Sequence, residues 1–169
     1  MENKKKNLMK EIKITKIVLN VSGTGDYLER GFKLLKFLTG KTPKKTKSKK
    51  RIPSLGVKPG LEIGAVVTIR KEKEILLKKF LSTVDNSLEK SQVNENGVSF
   101  GIKEYIEIHG TEYKREIGIL GFDINIVFER AGRRVKLKKI KKGKIPKRQR
   151  ISKEEIIQFM EENFKTKFK

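Results

Sequence analysis

"GFDINIVFER", residues 121–130, alternates without a break. Phe122, Ile124, Ile126 and Phe128 fall on one side, with Asp123 and Glu129 on the other. A period of two marks a strand with one face buried and one face wet. Three other stretches share the pattern. "ITKIVLNV" (14–21) sets Ile17, Leu19 and Val21 against Lys16, Val18 and Asn20. "IGAVVTIRK" (63–71) aligns Ile63, Ala65, Val67 and Ile69. "FGIKEYIEI" (100–108) aligns Phe100, Ile102, Ile106 and Ile108. Strands of a parallel sheet are covered on both faces and read as continuous apolar runs. Four strands with one apolar face each therefore predict an antiparallel sheet with helices packed on one face and the other face free.

Between the strands the period changes to that of a helix. Residues 27–39 place Leu28, Phe32, Leu35 and Leu38 on one stripe, with Asp26 as the expected N-cap and Gly40 as the stop. Residues 72–84 carry Ile75, Leu76, Phe80, Leu81 and Val84. Near the end, Ser152 followed by Glu155 forms a capping-box signature ahead of Ile156, Phe159, Met160 and Phe164. The polar stretch 85–98 reads as an exposed loop. The fold class is α+β. The expected organisation is a basic tail (1–13), an α+β domain (14–132), a basic segment (133–150), and a last helix packing back on the domain (151–169).

Charge separates this chain from an ordinary α+β domain. Its 169 residues carry a formal net charge of +22 and a pI of about 10.1. Most of that excess lies in two segments. Residues 41–51, "KTPKKTKSKKR", hold seven Lys or Arg and no acid, and residues 133–150, "RRVKLKKIKKGKIPKRQR", hold eleven and no acid. The rest is nearly balanced. Concentrated positive charge on a folded body points to a polyanionic partner, and nucleic acid is the commonest. Threonine and serine interleave the first segment at Thr42, Thr46 and Ser48. Hydroxyls can bond phosphate and sugar oxygens while lysine supplies charge. The nine Phe and three Tyr lie mostly in the apolar stripes. That favours recognition of a folded RNA by shape and phosphate over base stacking along a single strand. Eleven like charges in eighteen residues predict that the second segment is disordered without RNA.

Other chemistries find little support. The absence of cysteine removes disulfides, thiolate catalysis and zinc fingers. With a single histidine, His109, a His-based metal cluster is not expected, and no cofactor is. "SGTGDYLERG" (22–31) has Gly23 and Gly25 between strand and helix, but Leu28 stands where a dinucleotide fingerprint needs glycine, so it reads as a tight turn. Asp123, Glu129, Glu104 and Glu107 could make an RNA-processing enzyme, the second reading. A non-specific polyanion binder is the third. No secretory h-region and no apolar run long enough to span a bilayer occur, so a soluble intracellular protein without membrane contact is expected.

Five stretches resemble, in order, the universal large-subunit ribosomal protein five family, and specifically its archaeal and eukaryotic branch. They are "KIVLNVSGTG" (16–25), "LTGKTPKKTKSKKRIPSLGVKPGLEIGAVVTIR" (38–70), "VSFGIKEYIEI" (98–108), "IGILGFDINIVFERAG" (117–132) and "KIPKRQRISKEEI" (144–156). The resemblance runs from about Ile14 to Phe164. It implies a structural constituent of the large ribosomal subunit, in the cytoplasm, that catalyses nothing. It implies 5S ribosomal RNA as the partner in the central protuberance, bound by Asn20, Thr42, Lys44, Lys45, Thr46, Lys47, Lys49, Lys50, Arg51 and Lys58. The second segment would bind large-subunit ribosomal RNA through Arg133, Arg134, Lys136, Lys138, Lys139, Lys147, Arg148 and Arg150. The family's loop toward peptidyl-site transfer RNA maps to residues 87–98, with Lys90, Gln92, Asn94 and Asn96. Its further partners are a neighbouring large-subunit protein on 5S RNA and a small-subunit head protein across the subunit bridge.

Overall fold

The computed structural model describes Asn7 and residues 9–169, so most of the expected basic tail lies outside the described residues. In chain order the elements are β1 (Ile12–Ser22), α1 (Asp26–Thr39), β2 (Lys44–Lys47), β3 (Glu62–Ile69), α2 (Lys73–Thr83), β4 (Ser87–Leu88), β5 (Val93–Asn94), β6 (Gly97–Ile102), β7 (Phe122–Arg130), α3 (Arg134–Leu137), α4 (Lys153–Phe164) and β8 (Lys167–Phe168). Six strands form one antiparallel sheet in the order β2-β3-β1-β7-β6-β5, while β4 and β8 pair in parallel apart from it.

The alternation of β7 is realised as read. Phe122, Ile124, Ile126 and Phe128 are buried. They join Ile17, Leu19 and Val21 of β1, Ala65, Val67 and Ile69 of β3, and Val98, Phe100 and Ile102 of β6 in a single core. The helices cover this face with Leu28, Leu34 and Leu35 from α1, Leu77, Phe80 and Leu81 from α2, and Ile156 and Met160 from α4. Two edge-to-face aromatic pairs tie helix to sheet, Phe80–Phe122 and Phe128–Phe159, each with ring centroids 5.7 Å apart. Such pairs contribute about 0.5–1.5 kcal/mol beyond area burial.

Helix ends follow local chemistry. Gly40 closes α1 in the left-handed conformation at φ 65° and donates its N–H to the Lys36 carbonyl, as expected for a glycine stop. At the other end Gly25 is the N-cap and Asp26 is the first helical residue, where its charge favours the positive end of the helix dipole. The capping box of α4 forms: Glu155 N–H donates to Ser152 Oγ, and Ser152 N–H donates to Glu155 Oε2 at 3.0 Å. In α2 the stripe turns away from Ile75, which is 62% exposed, toward Leu77.

Two expectations are corrected. The strand expected over 100–108 ends at Ile102, and the chain turns through a 3-10 turn at Tyr105–Glu107. The Tyr105 ring is buried and its hydroxyl accepts from the Lys114 N–H at 2.8 Å, so Tyr105 and Ile108 enter the core from a turn. The 85–98 stretch is not simply an exposed loop. It buries Leu88, Val93 and Val98 and contributes β4, β5 and the start of β6. A tight hairpin joins Asn94 to Gly97, with Asn96 in the left-handed region at φ 64°.

Candidate RNA-binding surface

The face opposite the helices carries the polar half of each alternation. Strand register sets one row across five strands: Lys44, Val66, Asn20, Asp123 and Gly101. The adjacent row holds Thr68, Val18, Asn125 and Ser99, with the Ser99 hydroxyl donating to Asn125 Oδ1 at 2.7 Å.

The first basic segment begins as β2, the edge strand beside β3. Because Lys44 sits opposite Val66 and Thr46 opposite Gly64, both lie on the open face. Lys45 sits opposite Ala65 and so points to the helix side. There its ammonium pairs with Glu62 at 3.0 Å and lies 6.0 Å from the centre of the Phe32 ring. The hydrogen bond and charge of Glu62 hold it above the ordinary lysine range. Past a register shift between Thr46 and Lys47 the strand ends, but Ser48 extends its hold on the sheet. Ser48 N–H donates to the Leu61 carbonyl at 2.8 Å, and the Gly60 N–H donates to the Ser48 carbonyl at 2.9 Å. Ile52 and Val57 then bridge across a turn closed by Gly56.

The interleaved hydroxyls divide by role. Thr46 Oγ1 donates to the Gly64 carbonyl at 3.1 Å, and Ser48 Oγ, buried, donates to the Lys50 carbonyl at 2.7 Å. Their protons fasten the segment to itself and to β3. Thr42 is exposed, as are Lys44, Lys47, Lys49, Lys50, Arg51 and Lys58. Asn20 is half-buried, with Nδ2 donating to Ser22 Oγ at 3.2 Å. The structure thus gathers Asn20, Lys44 and Thr46 on one face, leaves six cations solvated, and turns Lys45 toward Glu62.

The second basic segment, expected to be disordered without RNA, is instead held at both ends, and the residue that holds it is one that sequence reasoning passed over. Arg130, at the end of β7, donates to the carbonyls of Arg148 and Arg150 at 3.2 and 3.3 Å and to Glu155 Oε1 at 2.6 Å. Gln149 donates to the Ala131 carbonyl at 2.8 Å, and Arg133 pairs with Glu129. Burial pushes the Glu155 carboxyl up, but the Ser152 amide and the Arg130 guanidinium outweigh it and bring it below the usual range. Between these ties the chain forms α3 and a 3-10 turn at Lys147–Gln149. Arg134, Lys136, Lys138, Lys139, Lys147, Arg148 and Arg150 are exposed. The segment curls beside the sheet and lines a cleft of about 960 Å³ with Ser99, Asn125 and Glu129. The open face is therefore bounded on the β7–β6 side by cationic chain rather than left wholly free. The only signal for this in the sequence was a lone arginine at the end of the alternating strand.

In the 87–98 stretch, Lys90 and Asn94 point to solvent. Gln92 is used internally, its Oε1 accepting from the Glu89 N–H at 3.2 Å, and Asn96 makes the hairpin turn. Of the weighed carboxylates, Glu129 is paired with Arg133, and Asp123 is exposed on the open face. His109 is exposed. Among the described residues no group of three His, Cys, Asp or Glu could hold a metal ion, and no helix is long and apolar enough to cross a membrane.

Comparison with known proteins sets this architecture in a class. Residues 62–159 match the model for the C-terminus of the ribosomal L5 family. Proteins named large ribosomal subunit protein uL5 are similar along nearly the whole chain. That of Nanoarchaeum equitans is 42% identical over 158 residues, covering 91% of this chain and 94% of the relative. That of Sulfolobus acidocaldarius is 42% identical over 167 residues, covering 96% and 94%. That of Methanosphaera stadtmanae is 37% identical over 162 residues, covering 94% and 96%. The chain belongs to the ribosomal L5 family. Its role is structural, within the ribosome, and it is not an enzyme. The reading of Asp123 and its neighbours as catalytic carboxylates is thereby set aside.

Proposed function

We propose that this protein is a constituent of the large ribosomal subunit that docks on 5S ribosomal RNA in the central protuberance. The observation that carries the reading is the lysine-bearing edge strand β2, anchored by Thr46 to β3 and by Ser48 to the turn leading into it, and continuous with the open face at Asn20. A phosphate backbone laid along this edge meets Lys44, Lys47, Lys49, Lys50, Arg51 and Lys58, with Thr42 and Asn20 supplying directional hydrogen bonds. Lys45 contributes by holding the strand against the helix layer through Glu62. A preformed edge suits a folded RNA, because little chain entropy remains to be lost on docking.

The second segment serves large-subunit ribosomal RNA through Arg133, Arg134, Lys136, Lys138, Lys139, Lys147, Arg148 and Arg150. Its ties to Arg130 set where these charges are presented. The resemblance further implies a neighbouring large-subunit protein on the same 5S RNA, a small-subunit head protein across the bridge, and peptidyl-site transfer RNA near Lys90 and Asn94. The cytoplasmic ribosome is the site of action.

The test is binding to 5S ribosomal RNA against a shuffled RNA of equal length, across a salt series. Lysine–phosphate contacts release counterions, so both affinities fall steeply with salt. A 5S advantage of about a hundredfold that persists across the series, about 2.7 kcal/mol at 1.36 per decade, is the expected result. Coincident curves at every salt concentration would overturn the 5S assignment.

A further inference from the structure

The open-face row contains an anomaly. In a chain of net charge +22, a surface that meets phosphates carries an exposed carboxylate, Asp123, between Asn20 and Gly101. Among the described residues Asp123 makes no ion pair and no side-chain hydrogen bond, unlike Glu62, Glu129 and Glu155. Next to phosphate a free carboxylate costs affinity through like-charge repulsion. It is favourable on such a surface only where it faces hydrogen-bond donors, and the donors that an RNA offers are its base edges and 2′-hydroxyls.

The surroundings suit a base. Asp123 lines a cleft of about 460 Å³ at the end of the open face, with Asn20, Ser22, Tyr27, Lys103, Gly101 and Gly121. Tyr27 is 47% exposed and stands at its wall, an aromatic surface outside the hydrophobic core. The two glycines allow close packing along its lining. A methyl group on Gly101 would come within 3.3 Å of Asp123 Oδ1, and one on Gly121 within 2.5 Å of the Lys103 carbonyl. An aromatic plane, an amide, an acceptor carboxylate and a lysine in the lining are a set that can recognise an unstacked base and its phosphate.

We propose that this cleft takes one unpaired guanine of the bound RNA and that Asp123 reads it. Guanine is the base whose Watson–Crick edge presents two adjacent donors, N1–H and the 2-amino group. These match the two oxygens of one carboxylate. Adenine and the pyrimidines present an acceptor at one of those places. Tyr27 supplies the stacking surface, and Lys103 faces the phosphate. The inference rests on the protein being an RNA binder, and it adds base identity to a surface otherwise argued from charge and shape.

The experiment is selection of a hairpin library with an eight-nucleotide random loop on the full chain, in parallel with Asp123→Asn, at salt high enough to suppress charge-only binding. Asp123 is exposed on a strand, and thermal melting confirms that the variant folds. The wild type should enrich loops with one fixed guanine, and Asp123→Asn should lose that guanine. Replacing the fixed guanine with inosine, which lacks the 2-amino group, should weaken wild-type binding about tenfold, within the range of a bidentate side-chain–base contact. The inosine arm needs no protein variant. The proposal is overturned if no guanine is fixed, if the variant keeps the same guanine, or if Asp123→Asn merely binds every loop more tightly, the mark of simple repulsion. If 5S RNA retains its advantage while guanine is not selected, the base pocket falls and the ribosomal reading stands. If the 5S advantage is also absent, both fall.

Discussion

Arg130 is the point where the folded domain controls its second cationic segment, and Glu155→Gln tests that control with the least disturbance. Glutamine keeps one oxygen, which can accept from the Ser152 N–H and preserve the capping box, but it turns an NH2 donor toward Arg130, so both the charge and the hydrogen bond opposite Arg130 are lost. The Arg130 side chain is 12% exposed and that of Glu155 is 39%. A fully buried pair broken on one side costs about 3–5 kcal/mol, and an exposed pair about 0–1 kcal/mol. The solvent at Glu155 places this pair between them, at about 1–2 kcal/mol. For a domain of this size that lowers Tm by about 2–8 °C. The sign of the pH dependence is fixed. The carboxyl of Glu155 sits below its ordinary value in the folded state, so its stabilisation is full above the unfolded value and is lost as pH falls through the folded one. Urea titrations of wild type and Glu155→Gln should therefore differ by the same amount at pH 7 and pH 5.5, and the gap should close below about pH 4.5. Amides of residues 147–150 should lose exchange protection in the variant, since Arg130 also bonds the Arg148 and Arg150 carbonyls. A stability gap that is absent at pH 7, or that persists unchanged at pH 3, would refute the argument.

Three further outcomes follow from the geometry. Lys47→Gln or Lys49→Gln should reduce the salt slope of RNA binding by about one counterion each, whereas Lys45→Gln should leave the slope nearly unchanged, because Lys45 faces Glu62; filter binding across salt separates them. Phe128→Ala removes a ring that is fully buried against Phe159 and should cost about 3–5 kcal/mol in urea unfolding. Gly64→Ala would set a methyl group 2.8 Å from Thr46 Oγ1 and should cost about 1–2 kcal/mol while weakening protection of the β2 amides, as read by hydrogen exchange.

The sheet was legible because one face of each strand is apolar and the other wet; β7 and β1 announce this by strict alternation. The helices α1 and α4 were legible from their stripes and from Gly40 and Ser152. Where reading failed, burial arose from a different geometry than the local period suggested. "KEYIEI" continues an alternating pattern, yet Tyr105 is drawn into the core from a 3-10 turn by its hydroxyl contact to the Lys114 N–H. The 85–98 stretch is polar by composition, and three spaced residues, Leu88, Val93 and Val98, suffice to fold it down. At the candidate surface, charge identified both segments, but not which cations are free. Lys45 and Lys47 are alike in sequence and differ in role because strand register places one opposite Ala65 and the other beyond a shift. The cleft beside the second segment left no trace in the sequence beyond Arg130 itself, since it depends on that arginine reaching residues about twenty positions away.

The strand order has a consequence for how the chain is made. β1 lies in the middle of the sheet, yet it precedes every other described strand in the chain, and its two partners are distant: Ile17 pairs with Ile69 on one side and with Ile126 on the other. Sequence separations of this size make folding slow, because loop closure precedes any gain from pairing. At ribosomal synthesis rates of roughly 5–20 residues per second, β1 waits seconds for β3 and longer for β7. Throughout that interval Ile17, Leu19 and Val21 lack their full cover and one edge of β1 stays open to another chain. A nascent chain stalled before residue 121 is therefore the aggregation-prone species of this protein, and completion of β7 is the event that closes it.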